Sequence, residues 1–211
     1  MAPSNKIDRT ITTDTLALAD FVHPKRGERI LEIGTGSGYI TTSLACRFEV
    51  EVVGIDISRH LIKKARENAL ERKSMMLGTV CFAVKGAIDM FSEEYRGFFD
   101  CVVCNPPFYP PNAGRKSPNP ERAVARQEIA FSLETLFEVA AHVLRYKGRL
   151  YGIHPAERLA DIMIYGTNHS VAVKEIVPVY TRCNSAAKRI LVMSQKGAKP
   201  APKILFPLKI Y

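Results

Sequence analysis

The chain has 211 residues, of which 46% are hydrophobic and 24% charged, a composition that suits one globular domain, predicted here to span residues 1–211. It has no uncharged apolar run near the ~18 residues that a membrane span needs, and its start, "MAPSNKIDRTITTD", does not resemble a signal peptide. Five cysteines without the spacing of a disulfide framework agree with a reducing compartment, so we expect a cytoplasmic protein with no membrane partner.

The predicted elements alternate between strands and helices, which is typical of a mostly parallel sheet. The predicted strands are 29–34, 51–56, 79–84, 99–104 and 149–154, followed by two late strands, 170–180 and 188–197, that could be antiparallel. The predicted helices run from Gly38 to about Arg47, behind the N-cap Ser58, from Ser132 to Gly148 and over 156–166. The sequence therefore predicts an α/β fold, in which the Pro-rich stretch 106–120 is a functional loop.

A glycine-rich loop, "EIGTGSG", follows the first predicted strand and opens a helix. Gly34, Gly36 and Gly38 lack a Cβ, so the backbone can turn tightly and a ligand can approach it closely. Asp56 ends the second predicted strand, where its carboxylate could bind a ribose diol. A loop of this kind alone is a weak signal. The succession of strand, glycine loop, helix and a second strand that ends in Asp56 predicts a nucleoside site.

The spacing of this loop and its acidic neighbour favour one nucleoside cofactor. The glycines follow the pattern G-x-G-x-G, which differs from the G-x-G-x-x-G of dinucleotide sites. Glu32, two residues earlier, would repel a pyrophosphate but suits a ligand that carries an ammonium and a sulfonium. We therefore expect S-adenosylmethionine, with an NAD-dependent oxidoreductase as the alternative.

The fourth predicted strand, "FDCVVC", ends abruptly at Asn105-Pro-Pro-Phe108, on the same sheet edge as the glycine loop. The Asn105 side chain and the Pro106 carbonyl could accept both hydrogens of a planar NH₂ group and direct its lone pair at a methyl donor. Pro106 and Pro107 stiffen this turn, and Phe108 offers a face for stacking a flipped-out base. The alternative is a turn that only ends a strand.

Positive charge points to a polyanionic partner. Lys and Arg number 30 against 21 Asp and Glu, a net charge of +9, and no acidic residue follows Glu175. Phosphate contacts by such residues dominate nucleic-acid affinity, although a basic protein without such a partner remains the alternative. Four further basic residues follow the Asn-Pro-Pro-Phe motif and could bind phosphates beside a flipped base: Arg115, Lys116, Arg122 and Arg126.

Together, "EIGTGSG", "GID" and "NPPF" resemble class I methyltransferases that act on planar NH₂ groups. The stretches "RKSPNPERAVARQE", "SLETLFEVAAHVLRYKGRL" and "RILVMSQKGAKPAPKILFPLKIY" are similar to a bacterial family of tRNA(Val) adenine-N6-methyltransferases. The resemblance implies a Rossmann-like, seven-stranded sheet, mostly parallel with an antiparallel last strand and helices on both faces. It implies methylation of an exocyclic base amine, with adenine N6 of tRNA as the expected target.

The resemblance also assigns residues. Asn105, Pro106, Pro107 and Phe108 would hold the base. The implied cofactor-binding residues are Glu32, Gly34, Thr35, Gly36, Gly38, Asp56, Ile57, Ala87 and Ile88. Ala87 stands where family members often have an acidic residue, a role that Asp89 could take over.

Several alternatives stay open. Guanine N2 of ribosomal RNA, adenine in DNA and a protein glutamine amide present equivalent NH₂ groups, and a catalytically inactive RNA-binding module is a different class. A metal is not expected, because Cys101 and Cys104, three residues apart on a strand, point to opposite faces. His154, after the fifth predicted strand, is expected to pack or cap. The oligomeric state is left open.

Overall fold

A computed structural model describes residues 11–106, 132–180 and 185–209 of the chain. Its helices in these ranges are α1 Thr13–Phe21, α2 Tyr39–Arg47, α3 Arg59–Glu71, α4 Leu133–Val143 and α5 Leu159–Asn168. The strands are β1 Arg29–Ile33, β2 Glu51–Asp56, β3 Thr79–Val84, β4 Phe99–Cys104, β5 Leu144–Pro155, β6 Val171–Tyr180, β7 Arg189–Lys196, β8 Lys203–Ile204 and β9 Leu208–Lys209. No helix in this part of the chain combines the length and apolar character that a membrane crossing requires.

All nine strands join one sheet in the order β3-β2-β1-β4-β5-β7-β6-β8, with β9 also paired to β6. The pairs from β3 to β5 are parallel, and β7 is antiparallel to both of its neighbours, β5 and β6. The predicted mostly parallel α/β sheet is therefore confirmed. The predicted count of seven strands needs a correction, because two short strands, β8 and β9, add to the edge of β6.

Helices cover both faces of the sheet, as predicted. One core cluster packs α4 and α5 against the strands through residues such as Phe137 and Ile162, which are at most 1% exposed. The other packs α1 and α2 through Leu18 and Leu44, which are fully buried. Successive side chains of a strand point to opposite faces of the sheet, so each strand contributes residues to both clusters.

The end of α4 differs from the prediction that the helix reaches Gly148. It ends at Val143, and β5 begins at Leu144, which is fully buried and pairs with Phe99 of β4. The β4–β5 register then shifts through a bulge in which Lys147 has φ of 64°. A Cβ on Gly148 would lie 2.9 Å from the carbonyl oxygen of Arg145, so this glycine allows the bulge rather than ending the helix.

Candidate functional site

The carboxyl ends of β1 and β4 meet where the strand order reverses. Ile33 of β1 pairs with Cys104 of β4, so Gly34 and Asn105 leave the sheet at the same level on neighbouring strands. Ligands of open α/β sheets bind at such a point, outside the carboxyl ends of the strands. The fold thus brings the predicted glycine loop next to Asn105, the first residue of the predicted base-holding motif.

The backbone of the glycine loop faces open space. The amides of Gly34 and Thr35 both donate to the carbonyl of Ile55, at 2.9 Å, which ties the loop to β2. Gly34 and Gly36 have φ of 75° and 55°, and a Cβ on either would meet no atom within 4 Å. The loop therefore leaves room beside its bare backbone, which fits a bound nucleoside cofactor.

Gly38 has a packing role in addition to its predicted place in the loop. It is the N-cap of α2 with φ of 80°. A Cβ at this position would lie 2.8 Å from the Cβ of Ala65 and 3.0 Å from the ring of Phe82. Gly38 is thus the point at which α2 approaches α3 and β3 closely.

Asp56 holds the loop as well as ending β2. Its Oδ2 accepts a hydrogen bond from the amide of Gly36 at 3.0 Å, and its Oδ1 accepts one from the amide of Ser58 at 2.9 Å. These bonds fix the carboxylate at the carboxyl end of β2, next to the glycine loop. The predicted ribose contact is consistent with this position.

Glu32 lies under the loop rather than on its surface, with 3% of its area exposed. Its Oε2 accepts hydrogen bonds from the Thr35 hydroxyl at 2.7 Å, the Thr41 amide at 2.9 Å and the Thr41 hydroxyl. The pKa of Glu32 is raised from 4.5 to about 7, chiefly by burial and to a smaller extent by the charge of Asp56, while the hydrogen bonds oppose the shift. Glu32 therefore anchors the glycine loop to α2.

Gly54 belongs to this network, although sequence reasoning assigns it no role. A Cβ at Gly54 would lie 2.8 Å from the hydroxyl oxygens of both Thr35 and Thr41. The middle of β2 must therefore lack a side chain for the Glu32 hydrogen bonds to form. The signal in the sequence was the glycine inside the buried strand "EVVGID".

The loops after β2 and β3 lie close to each other. A Cβ on Gly86 would lie 3.5 Å from Cγ2 of Ile57, which is 39% exposed. Ile88 is 70% exposed, and Ala87 packs against the sheet. Asp89 accepts a hydrogen bond from the Gly86 amide at 2.7 Å, so its carboxylate stabilises its own turn.

Asn105 is oriented by α1, a helix that was not among those predicted from the sequence. Its Nδ2 donates to Oγ1 of Thr15, on α1, at 3.2 Å. Thr15 in turn lies 3.0 Å, hydroxyl to hydroxyl, from Thr12, the N-cap of α1. Because the amide nitrogen is used in this way, Oδ1 is the acceptor end of the Asn105 side chain, and none of the described residues donates to it. Asn105 and Pro106 are half-buried.

Six predicted site residues lie outside the described part of the chain. They are Pro107, Phe108, Arg115, Lys116, Arg122 and Arg126. Their proposed contacts with the base and with phosphates stay predictions.

Comparison with known proteins decides the family. The profile described as "Methyltransferase domain" matches residues 24–182, which include the glycine loop, Asp56 and Asn105. The chain belongs to the methyltransferase domain family. The predicted resemblance to methyltransferases is confirmed.

Two bacterial relatives align with most of this chain. The chain is 34% identical over 167 residues to a tRNA1(Val) (adenine(37)-N6)-methyltransferase of Porphyromonas gingivalis, covering 78% of this chain and 64% of that protein. A protein of the same name from Pedobacter heparinus is 28% identical over 203 residues, covering 93% and 83% of the two chains. The chain thus spans about 64% of the length of the first of these relatives.

Solved structures agree on the fold. A predicted O-methyltransferase from Agrobacterium tumefaciens aligns with a TM-score of 0.68 at 21% identity, covering 93% of this chain and 86% of that one. A SAM-dependent methyltransferase from Methanosarcina mazei aligns with a TM-score of 0.57 at 18% identity, covering 82% and 94%. Identities this low support the methyltransferase fold alone.

The two strand cysteines, Cys101 and Cys104, point to opposite faces of the sheet, as predicted. Cys101 packs in the cluster beneath α1 and α2, whereas Cys104 packs in the cluster beneath α4 and α5. The two thiols therefore lie on opposite faces of the sheet and cannot share a metal ion. Burial raises the pKa of Cys101 to about 12.

One group among the described residues could hold an ion. Glu134, Glu138 and His169 place three possible ligand atoms within 4.8 Å of one another, but both glutamates are exposed. Exposed acidic groups are usually solvated, so the absence of a metal stays a prediction.

His154 packs at the end of β5, as expected. It is 5% exposed, and its Nε2 would lie 2.5 Å from a Cβ on Gly152. Burial lowers the pKa of His154 from 6.5 to about 4, and Arg158 lowers it further. The imidazole is therefore neutral at physiological pH.

Proposed function

We propose that this chain transfers a methyl group from S-adenosylmethionine to N6 of an adenine in tRNA. The observation that carries the proposal is the Asn105 side chain, fixed by Thr15 beside the glycine loop with its oxygen left as an acceptor. The names of the relatives support the substrate, since they act on adenine 37 of tRNA1(Val). A tRNA substrate would also agree with the cytoplasmic location that the sequence predicts.

The glycine loop, Asp56 and Glu32 are the residues that would hold the cofactor. The open space along Gly34 and Gly36 can accept the nucleoside, and the carboxylate of Asp56 lies at the end of the adjacent strand. When bound, S-adenosylmethionine supplies a methyl group on a positively charged sulfur, which makes that carbon electrophilic. The carboxylate of Asp56 disfavours a pyrophosphate at this site, and Glu32 contributes by anchoring the loop to α2.

Asn105 and Pro106 would position the amine. The Oδ1 of Asn105 and the carbonyl oxygen of Pro106 accept the two N–H groups of N6, which favours a pyramidal nitrogen with its lone pair available. The bound cofactor would supply the methyl group to this nitrogen and leave as the neutral thioether, so positive charge would develop on the nitrogen held by these two oxygens. The two oxygens stabilise that charge, and the methylated nitrogen then loses its extra proton to water.

Substitution of Asn105 tests this mechanism. We expect Asn105→Ala to lower kcat by about 100-fold or more, because one preorganised partner of the developing charge is lost. The affinity for S-adenosylmethionine should stay within about twofold, since Asn105 lies outside the glycine loop. Asn168→Ala, at the exposed end of α5, is the matched control and should retain full activity.

The assay uses tRNA1(Val) transcripts, a labelled methyl donor and identification of the modified nucleoside. Full turnover by Asn105→Ala would contradict the mechanism. Label found in guanine, in DNA or in protein glutamine, with none in adenine of tRNA, would contradict the substrate. Methyl-donor binding without transfer to any of these would point to an inactive module.

A further inference from the structure

The segment 199–209 lies along the free edge of the sheet and runs toward the end that carries Asn105. The β8 strand pairs in parallel with Glu175 and Ile176, and β9 pairs in parallel with Val179 and Tyr180 at the end of β6. Because β6 and β4 run in the same direction, the segment advances toward the carboxyl edge. It therefore shares that edge with the candidate active site.

This segment exposes large apolar side chains. Phe206, between the two short strands, is 90% exposed, and Ile204 is 75% exposed. The backbone is nevertheless held, since the Leu205 amide donates to the carbonyl of Ile176 at 2.8 Å. A held backbone that exposes four large apolar side chains within five residues, Ile204, Leu205, Phe206 and Leu208, indicates a surface that contacts a partner.

The positive charge near Phe206 favours a polyanionic partner. Lys199, Lys203 and Lys209 are exposed within the segment, and Lys174 of β6 donates to the carbonyl of Lys199 at 3.3 Å. Glu175, which pairs with Lys203, is the acidic residue of β6 beside the segment, and no acidic residue follows it in the sequence. Lysines around an exposed aromatic ring match single-stranded nucleic acid, in which bases stack on the ring and phosphates meet the cations.

The distance to the active site suits the same RNA molecule. The sheet order places four strand spacings between β4, which ends at Asn105, and the segment beside β6. Strands lie about 4.8 Å apart, so the two sites are about 19 Å apart across the sheet. A strand of RNA whose target base reaches Asn105 can extend over several nucleotides to Phe206.

We propose that segment 199–209 is an RNA-docking edge, in which Phe206 stacks on a base outside the target nucleotide and Lys203 and Lys209 neutralise phosphates. The proposal rests on the proposed RNA substrate. It assigns the segment to substrate binding and leaves the chemical step to Asn105.

Aromatic and charged variants separate the two contributions. Phe206→Ala should weaken binding of an anticodon stem-loop RNA by at least about fivefold and leave its salt dependence unchanged, whereas Phe206→Tyr should retain affinity. The double variant Lys203→Gln/Lys209→Gln should reduce the slope of log K against log salt by about 1.4. Lys73→Gln and Leu70→Ala, exposed near the opposite corner of the sheet, are the controls.

Kinetics distinguish docking from catalysis and from folding. Phe206→Ala should raise KM for tRNA at unchanged kcat and unchanged cofactor affinity, because stacking far from the amine acts equally in ground and transition states. Wild-type RNA affinity in Phe206→Ala and in the double lysine variant overturns the docking edge while the methylation proposal stands. A wild-type dimer that Phe206→Ala dissociates at unchanged RNA affinity also overturns it. If the wild-type protein neither binds nor methylates RNA, the proposed function fails instead.

Discussion

At the scale of single residues, the protonation state of the Glu32 carboxyl affects the stability of the fold. Its pKa in the folded state, about 7, lies above the ordinary 4.5 because the side chain is buried. Between these pH values the folded protein keeps a proton that the unfolded chain has lost. Stability attributable to Glu32 is therefore complete below about pH 4.5, falls as the pH rises to about 7 and then levels off.

Glu32→Gln should remove this dependence. The free energy of unfolding of the wild type should fall relative to that of the variant by on the order of 3 kcal/mol as the pH rises through this interval. Urea unfolding of both proteins at pH 5 and pH 8 measures the difference. Parallel pH profiles would show that Glu32 does not carry a raised pKa.

Thr15 is a second residue with a testable role, since it positions Asn105 without belonging to the predicted motif. Thr15→Val keeps the shape of the side chain but removes the oxygen that accepts from Asn105 Nδ2. The amide can then rotate, so we expect a loss of kcat of about tenfold with little change in cofactor affinity. Thr15→Ser should restore kcat, and a loss shared equally by Thr15→Ser would argue against the hydrogen bond.

At the scale of elements, Gly38 shows how the loop and the helix packing depend on each other. Gly36→Ala and Gly38→Ala both place a Cβ at positive φ, which costs about 1 kcal/mol. Only Gly38→Ala also brings that Cβ against Ala65 and Phe82, which should add about 1–3 kcal/mol. Measured without cofactor, the free energy of unfolding of Gly38→Ala should therefore be clearly lower than that of Gly36→Ala. Equal free energies of unfolding would contradict the packing role of Gly38.

The elements that the sequence predicts well are those fixed by local patterns. Strands β1 to β7 and the glycine loop follow from apolar runs bounded by Gly, Asp and Asn. The end of α4 does not, because burial of Leu144 against β4 overrides the helical spacing that continues toward Gly148. Likewise, β8 and β9 have two residues each and exist only through pairing with β6.

At the scale of the whole molecule, the carboxyl and amino ends of the parallel strands have different roles. The carboxyl end carries the glycine loop and Asn105, whereas the amino end carries a buried ion pair between Glu28 and Arg149. Glu28 is 6% exposed and also accepts from the Lys25 amide at 2.7 Å. Arg149 donates to the carbonyl of His23 at 3.1 Å. Contacts across 121 residues of sequence have no local signature, so only the fold reveals them.

Removing the charge of Glu28 should therefore affect stability without affecting the site. In Glu28→Gln the guanidinium of Arg149 stays largely buried without its counter-charge, and we expect a loss of about 3–5 kcal/mol in the free energy of unfolding. Glu49→Gln, which breaks the exposed pair with Arg26, is the matched control and should change stability little. Affinity for S-adenosylmethionine, measured where both proteins are folded, should match the wild type, because Glu28 lies at the opposite end of the strands from the glycine loop. A large loss of cofactor affinity in folded Glu28→Gln would show that the two ends of the sheet are coupled.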